Sequence, residues 1–442
     1  MTVTADRLTT DEILRLNREF TFFSWSAQAK INPIVIDHAE GIYFWDPDGK
    51  RYIDFNSQLM SVNIGHGDRR VADAIAEQAH RLAFAAPQFA TEVRGRLGEL
   101  LADLTPGDLN TFFFTLGGAE ANENALRMAR MYTGRQKVIA RYRSYHGATA
   151  GAISATGDPR RWANEPGVPG IVRVMDPYRY GNPEPDPVDE HLAYLDEVIQ
   201  YEGPHTIAAF ILETVTGTNG ILIPPDGYLQ GVRELCDRYG ILLITDEVMA
   251  GFGRTGRWFA VDHWGVVPDL LTMAKGLTSS YLPLGAVAMK PEIAQHFAER
   301  VYYGGLTYSA HPVSCAAAIA AVGVLRDDDL VGNAARLGPV MASHLAQLKA
   351  NHPSVGSVRS IGLFGIVELI RDTNTREPMA PFNGSSPEMA ALDARFKADG
   401  LYTMQHWDGF FTNPPLCITE EQLGEAFAII DAALEVTDAA VR

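Results

Sequence analysis

The sequence predicts an α/β fold: a large, mostly parallel sheet flanked by helices, joined to a smaller α+β part. Three observations carry this expectation. Between roughly residues 70 and 330, short apolar runs rich in β-formers alternate with stretches of helical period. Those runs are apolar on both faces, as suits strands covered by helices on each side. Beyond residue 330 the pattern changes to strand-like VGSVRSIGLFGIVELI (355–370), a Pro/Asn/Gly/Ser loop near 381–387 and a closing helix.

Taken in order, the stretch 20–65 carries a hairpin signal, IYFWDPDGKRYIDF, with its turn at Pro47-Asp48-Gly49 between aromatic runs. Val71, Ala74, Ile75, Gln78, Ala79 and Leu82 recur at helical spacing and predict an amphipathic helix. Strands are expected at TFFFTL (111–116), KVIARYR (137–143), IVRVMD (171–176), IAAFILETV (207–215), ILLITDEV (241–248), LLTMAKG (270–276) and LGAVAMK (284–290). Tyr228, Leu229, Val232, Leu235, Cys236 and Tyr239 mark a second helix, and Thr419-Glu-Glu-Gln422 is a capping box opening the last one. The expected division is an N-terminal segment 1–65, a large domain 66–330 and a small C-terminal domain 331–442.

Composition narrows the function classes. The chain has 442 residues, 46% hydrophobic and 21% charged, enough apolar surface to fold as an ordinary globular protein. Its net charge is 37 − 54 = −17, with Lys and Arg scattered, which argues against nucleic-acid and anionic-membrane partners. An anionic ligand therefore needs local backbone amides or a positioned cation. Cys236, Cys315 and Cys417 lack CxxC spacing and read as buried free thiols, and no metal is implied. The N-terminus has no apolar leader core and no run reaches the ~18 apolar residues of a membrane span, so a cytoplasmic protein is expected.

Several segments carry chemistry. After TFFFTL, Gly117-Gly118-Ala119 opens a well-patterned helix, EANENALRMARMY, whose exposed first-turn amides and positive dipole end suit a phosphate; a plain tight connection is the alternative. Tyr145-His146-Gly147 follows a strand and puts an aromatic ring at the ligand-binding edge, or is a packed pair. Asp246 and Glu247 end an apolar strand, where a carboxylate needs a cationic or N–H partner: a protonated pyridine nitrogen, or an arginine such as Arg254. Gly251-Phe-Gly253-Arg-Thr-Gly256 is a literal GxGxxG, but RWFAVDHWGVVPD after it lacks a helical period, which disfavours a nicotinamide dinucleotide. Lys275 ends LLTMAKG, where desolvation raises the share of neutral amine; a lysine snorkelling from a strand end is the ordinary alternative. Thr307 sits in the glycine-rich YYGGLTYSAHP, as a phosphate donor or a plain turn residue.

In this order the segments resemble the class III aminotransferases, fold-type I enzymes dependent on pyridoxal 5′-phosphate (PLP). The likeness runs from about residue 30 to 425 and takes in NIGHG (63–67) and NPPLCITEEQ (413–422). It implies that Gly118 and Ala119 bind the cofactor phosphate, Tyr145 stacks on the pyridine ring, Val248 packs on its other face, and Asp246 bonds the ring nitrogen. It also implies Glu213 near the phenolic oxygen, Lys275 as the Schiff-base lysine and proton carrier, and Thr307 reaching the phosphate of a neighbouring subunit, hence a homodimer or dimer of dimers. Two departures stand out. The Ser-Gly-Ser type phosphate loop of many relatives is Gly117-Gly118-Ala119 here. Where many relatives have a carboxylate-binding arginine, GLYTMQHWDG (400–409) offers Met404, Gln405 and His406.

FTFFSWSAQ (20–28), with Phe22 and Trp25, corresponds to the site entrance in relatives. With FNSQLMSVNIGHG and GGAEANE it resembles the taurine and ω-amino acid branch. The implied reaction is ping-pong transfer from an ω-amino donor (taurine, an ω-amino acid or a primary amine) to pyruvate or 2-oxoglutarate. Phe22, Trp25, Arg143, Gln405 and His406, with Arg160, are candidate substrate contacts, and surface salt bridging is the alternative for the two arginines. An aminomutase or dialkylglycine-type decarboxylase would use the same lysine and aspartate.

Overall fold

The computed structural model describes residues 8–179, 182 and 184–442; the first seven residues of the N-terminal segment lie outside the described residues. Seven strands form the central sheet: β1 (Thr111–Thr115), β2 (Lys137–Arg141), β3 (Ile171–Val174), β4 (Ile207–Glu213), β5 (Leu242–Asp246), β6 (Leu270–Met273) and β7 (Gly285–Met289). Their order is β1-β7-β6-β5-β4-β2-β3. From β6 to β3 neighbours pair in parallel, whereas β7 runs antiparallel to both β1 and β6. The connection explains the exception. Only residues 274–284 join β6 to β7, without the helical crossover that a parallel pair needs.

Every residue of β4 is buried, as a run apolar on both faces requires. Three helices bear on the expected patterns: α1 (Arg69–Arg81), α2 (Gly118–Thr133) and α3 (Tyr228–Tyr239). In α3 the expected stripe Tyr228, Leu229, Val232, Leu235 and Cys236 is buried. In α2 the stripe is wider, because Asn122 and Asn124 are buried beside Ala121, Ala125, Met128 and Ala129. Only Val71 and Gln78 of α1 are buried, and Leu82 beyond it is exposed.

The hairpin expected around Pro47-Asp48-Gly49 forms between Tyr43–Trp45 and Arg51–Asp54. Its sheet is completed from the far end of the chain: Leu401–Tyr402 pairs in parallel with Ile53 and Asp54. A third sheet contains Val355–Ile361, Phe364–Leu369, Gly409–Thr412 and Gln405–His406. The closing helix, Glu420–Asp438, has the expected capping box between Thr419 and Gln422. Cys236 and Cys315 are buried, Cys417 is partly buried, and all three are free. Among the described residues no helix is long and apolar enough to cross a membrane.

Candidate active site

The C-terminal ends of β1, β2, β4, β5 and β6 open onto one cavity of about 780 Å³, at the sheet edge where α/β folds bind ligands. Its lining includes Gly117, Gly118 and Ala119 after β1, Tyr145 after β2, Glu213 at the end of β4, Asp246 and Val248 at the end of β5, and Lys275 after β6. Segments far apart in sequence meet here because parallel strands all deliver their C-termini to the same edge.

Gly117 is the N-cap of α2, whose first-turn amides have no intrahelical acceptor and face the cavity end of the helix. Gly118 is required for closeness: a Cβ there would lie 2.7 Å from Val248 Cγ1. Backbone amides and the helix dipole thus form an anion cradle without hydroxyls. Such a cradle is the kind of local feature an anionic ligand needs in a chain of net charge −17.

Asp246 is almost fully buried, yet its carboxylate is well supplied. Oδ2 accepts from Asn122 Nδ2 at 2.7 Å and faces His146 Nδ1 at 2.8 Å, and Oδ1 accepts from the Val248 amide at 3.0 Å. Each bond to a charged acceptor contributes about 1.5–3 kcal/mol, enough to offset desolvation of several kcal/mol. Asn122 is oriented by Thr272 Oγ1, which donates to its Oδ1 at 2.7 Å, and its Nδ2 also reaches the His146 carbonyl at 2.8 Å. The alternative pairing of Asp246 with Arg254 is overturned: Arg254 donates instead to Ser57, Asn63, Leu363 and Pro414. Neighbouring Glu247 points away, accepting from Thr214 Oγ1 and the Ala260 and Val261 amides, and burial pushes its carboxyl up to about 7.

Lys275 is not the last residue of β6. It lies two positions beyond it, in a tight turn with φ of +47°. Burial lowers its ammonium pKa below the ordinary 10.5; Asp246 and Glu213 oppose that shift, and Arg160 and Arg254 add to it. Glu213 accepts from the Tyr145 amide at 2.9 Å and the Gly217 amide at 2.7 Å. Burial, aided by Asp246, raises its carboxyl above the usual range against the pull of His146 and those amides.

The candidate substrate residues divide. The Arg160 guanidinium lies 3.6 Å from the centroid of the Tyr145 ring and lines the cavity. Asp158 and Thr218 hold its Nε and Nη2, and Nη1 makes no hydrogen bond among the described residues. Gln405, His406 and Trp25 also line the cavity, Trp25 edge-on to Tyr145 at 6.4 Å although the residue is 63% exposed. Burial, with Arg160 and Arg143 adding and Asp158 opposing, lowers His406 to about 4, so it is neutral at pH 7.

Arg143 does not reach the cavity. Its guanidinium donates to the Asn219 carbonyl and lines a separate small cleft with Arg359 and Glu368. Phe22 is 82% exposed and lies outside the lining. Thr307 is exposed and also outside this chain's cavity. Sequence reasoning missed Asn122, since an Asn in a helix of small residues carries no signal until the fold sets it against a residue 124 positions later. The GxGxxG is not a dinucleotide loop. Residues 251–256 are turns that open no helix, and Gly256 packs so closely that a Cβ would sit 2.9 Å from Ala335 Cα.

Comparison with known proteins agrees with this geometry. The family model "Aminotransferase class-III" matches residues 25–434. A putrescine–pyruvate aminotransferase of Pseudomonas aeruginosa is 35% identical over 424 residues, spanning 92% of this chain and 91% of its own. The crystal structure of taurine:2-oxoglutarate aminotransferase from Bifidobacterium kashiwanohense, in complex with PLP and glutamate, has a TM-score of 0.96 at 42% identity, covering 99% of this chain and 100% of that one. An (S)-enantioselective ω-transaminase from Thermomicrobium roseum has a TM-score of 0.92 at 38% identity, covering 97% and 99%.

Proposed function

The chain belongs to the class III aminotransferases, a family of PLP enzymes, and on that premise we propose that it moves the amino group of an ω-amino donor with an anionic tail to pyruvate or 2-oxoglutarate. Taurine and ω-amino acids are such donors. The observation that carries the reading is the placement of Lys275 and Arg160 in one cavity: a buried amine for chemistry, and a guanidinium with Nη1 free to receive a sulfonate or carboxylate. The hairpin from Gln405 to Thr412 offers no cation to the cavity, so Arg160 fills that need.

When bound, PLP supplies an electron-withdrawing ring and a carbon that exchanges amines. The rest is done by the chain. The α2 amides at Gly118 and Ala119 hold the phosphate. Asp246, fixed by Asn122, His146 and the Val248 amide, would accept a hydrogen bond from the protonated ring nitrogen and keep it charged. Tyr145 and Val248 would confine the two faces of the ring, and the Arg160 guanidinium packs on the Tyr145 ring. Lys275 Nζ would anchor the cofactor and, once free, would take the proton from the donor's amine-bearing carbon and deliver it to the carbon across the transferring nitrogen. Its lowered proton affinity suits both roles.

Thr307 belongs to the same reading as a donor to the neighbouring subunit's phosphate. It is exposed on a surface that also carries Phe84, Tyr303 and Tyr308, an apolar face expected to be covered by a second copy. The division at residues 65 and 330 likewise enters as a proposal, with both outer parts closing over the cavity.

The test is spectroscopic. PLP-loaded protein mixed with taurine or β-alanine in the absence of acceptor should lose the visible absorbance of the bound cofactor. Retention of that absorbance with every ω-amine tried refutes the donor class.

A further inference from the structure

The GxGxxG segment is left without a role by the cofactor site, and at its centre Arg254 is wholly buried. The other fully buried arginine among the described residues, Arg141, faces Asp176 at 3.4 Å. Among the described residues Arg254 has only neutral acceptors: the Leu363 carbonyl at 3.1 Å, the Pro414 carbonyl, Ser57 Oγ at 3.0 Å and Asn63 Oδ1 at 3.1 Å. Two lie before residue 65 and two after residue 360. One side chain thus ties both ends of the chain to the central part. An unpaired guanidinium is costly to bury, so its retention calls for an electrostatic reason.

The turn of Lys275 leans on this cluster. Asn63, which accepts from Arg254, donates to the Phe252 carbonyl at 2.8 Å, and a Cβ at Gly276 would lie 2.5 Å from Asn63 Nδ2 and 2.8 Å from Phe252 Cβ. The Ile64 amide donates to Ser279 Oγ at 3.1 Å. A non-glycine residue at positive φ costs about 1–3 kcal/mol and persists only where its surroundings over-determine it. At Lys275, Asn63, Phe252 and Ile64 provide that constraint.

We propose that Arg254 is a positioning residue of the transamination: its un-neutralised charge, locked to both outer segments, fixes the Lys275 turn and disfavours a second positive charge on Nζ. The inference rests on Lys275 as the attachment lysine. The charged groups facing Lys275 are Asp246 and Glu213, which favour its protonation, and Arg160 and Arg254, which oppose it. Arg254 is itself lowered to about 9 by burial, against the influence of Asp54 and Cys417.

The experiment is a pH titration of the visible absorbance of PLP-loaded protein, with thermal melting in parallel. Arg254→Gln should raise the titration midpoint by about one pH unit. Arg254→Lys, which keeps the charge but loses the fork, should bring the midpoint back near wild type while still melting lower. An unchanged or lowered midpoint in Arg254→Gln, or an equal rise in Arg254→Lys, overturns the proposal. If Arg254→Gln does not fold, Asn63→Asp decides: by neutralising the guanidinium it should raise the midpoint, and an unchanged or lowered one overturns the idea. Lys275→Ala separates the two readings, because loss of the titrating band upholds the attachment lysine and its persistence refutes that assignment whatever Arg254 does.

Discussion

Asn122 Nδ2 lies 2.7 Å from Asp246 Oδ2, and His146 Nδ1 faces the same oxygen at 2.8 Å. The carboxylate opposite Nδ1 fixes the histidine proton there, and Thr272 fixes the amide. Asn122→Ala should therefore lower kcat about 10-fold, the worth of one hydrogen bond to a charged group, with an unchanged circular dichroism spectrum. Steady-state kinetics of the loaded protein give the answer; a wild-type kcat removes Asn122 from the machinery.

Asp246→Asn takes away the charge rather than its support. The loss should reach about 10²–10³-fold in kcat, because a neutral amide no longer holds the ring nitrogen's proton. Single-turnover loss of cofactor absorbance with a saturating donor measures it.

Arg160→Ala should raise KM for taurine and β-alanine about 10- to 100-fold, with a much smaller change for an uncharged primary amine. Parallel saturation curves separate the two. Equal changes for both donors would mean that Arg160 acts only by bracing Tyr145.

Recombination of PLP with stripped protein requires neutral Lys275. Since burial lowers its proton affinity, the rate should climb with pH to a plateau whose midpoint is below 10.5. A midpoint at or above that value contradicts the burial argument. With Thr307 reaching a second copy's phosphate as proposed, Thr307→Ala should slow the same recombination, and sedimentation at several concentrations reports whether wild type and variant self-associate.

His352 offers a stability test away from the site. Burial disfavours its charged form, but hydrogen bonds to Asp438 at 2.6 Å and Asp431 at 3.0 Å outweigh it, and its proton affinity rises above the ordinary 6.5. The stabilisation is complete below pH 6.5 and is lost as pH rises through the folded-state value. Melting temperature should fall across that window in wild type, and this component should vanish in His352→Gln.

Lys275, Asp246 and Tyr145 were legible because each follows an apolar run, and in a parallel sheet the ends of such runs converge. The antiparallel direction of β7 was not legible, since an apolar run has the same composition in either direction. Asn122 and the fork of Arg254 depend on contacts 124 and 160 positions away, which local pattern does not encode. Arg143 lies outside the cavity lining because its guanidinium donates to the Asn219 carbonyl, a contact 76 positions away that local pattern does not display. Phe22 is a candidate by resemblance alone, and it is exposed and outside the cavity lining.

The pairing of Ile53 with Leu401 has a consequence for biosynthesis. During translation the hairpin around Ile53 leaves the ribosome with an unpaired strand edge, and its partner at Leu401 is made only several hundred residues later. The central sheet can assemble while that edge waits, but the walls of the cavity close only once residues beyond 400 have emerged. A truncated product would therefore hold a preformed cofactor floor beneath an unfinished roof, with an open β-edge available for aberrant association.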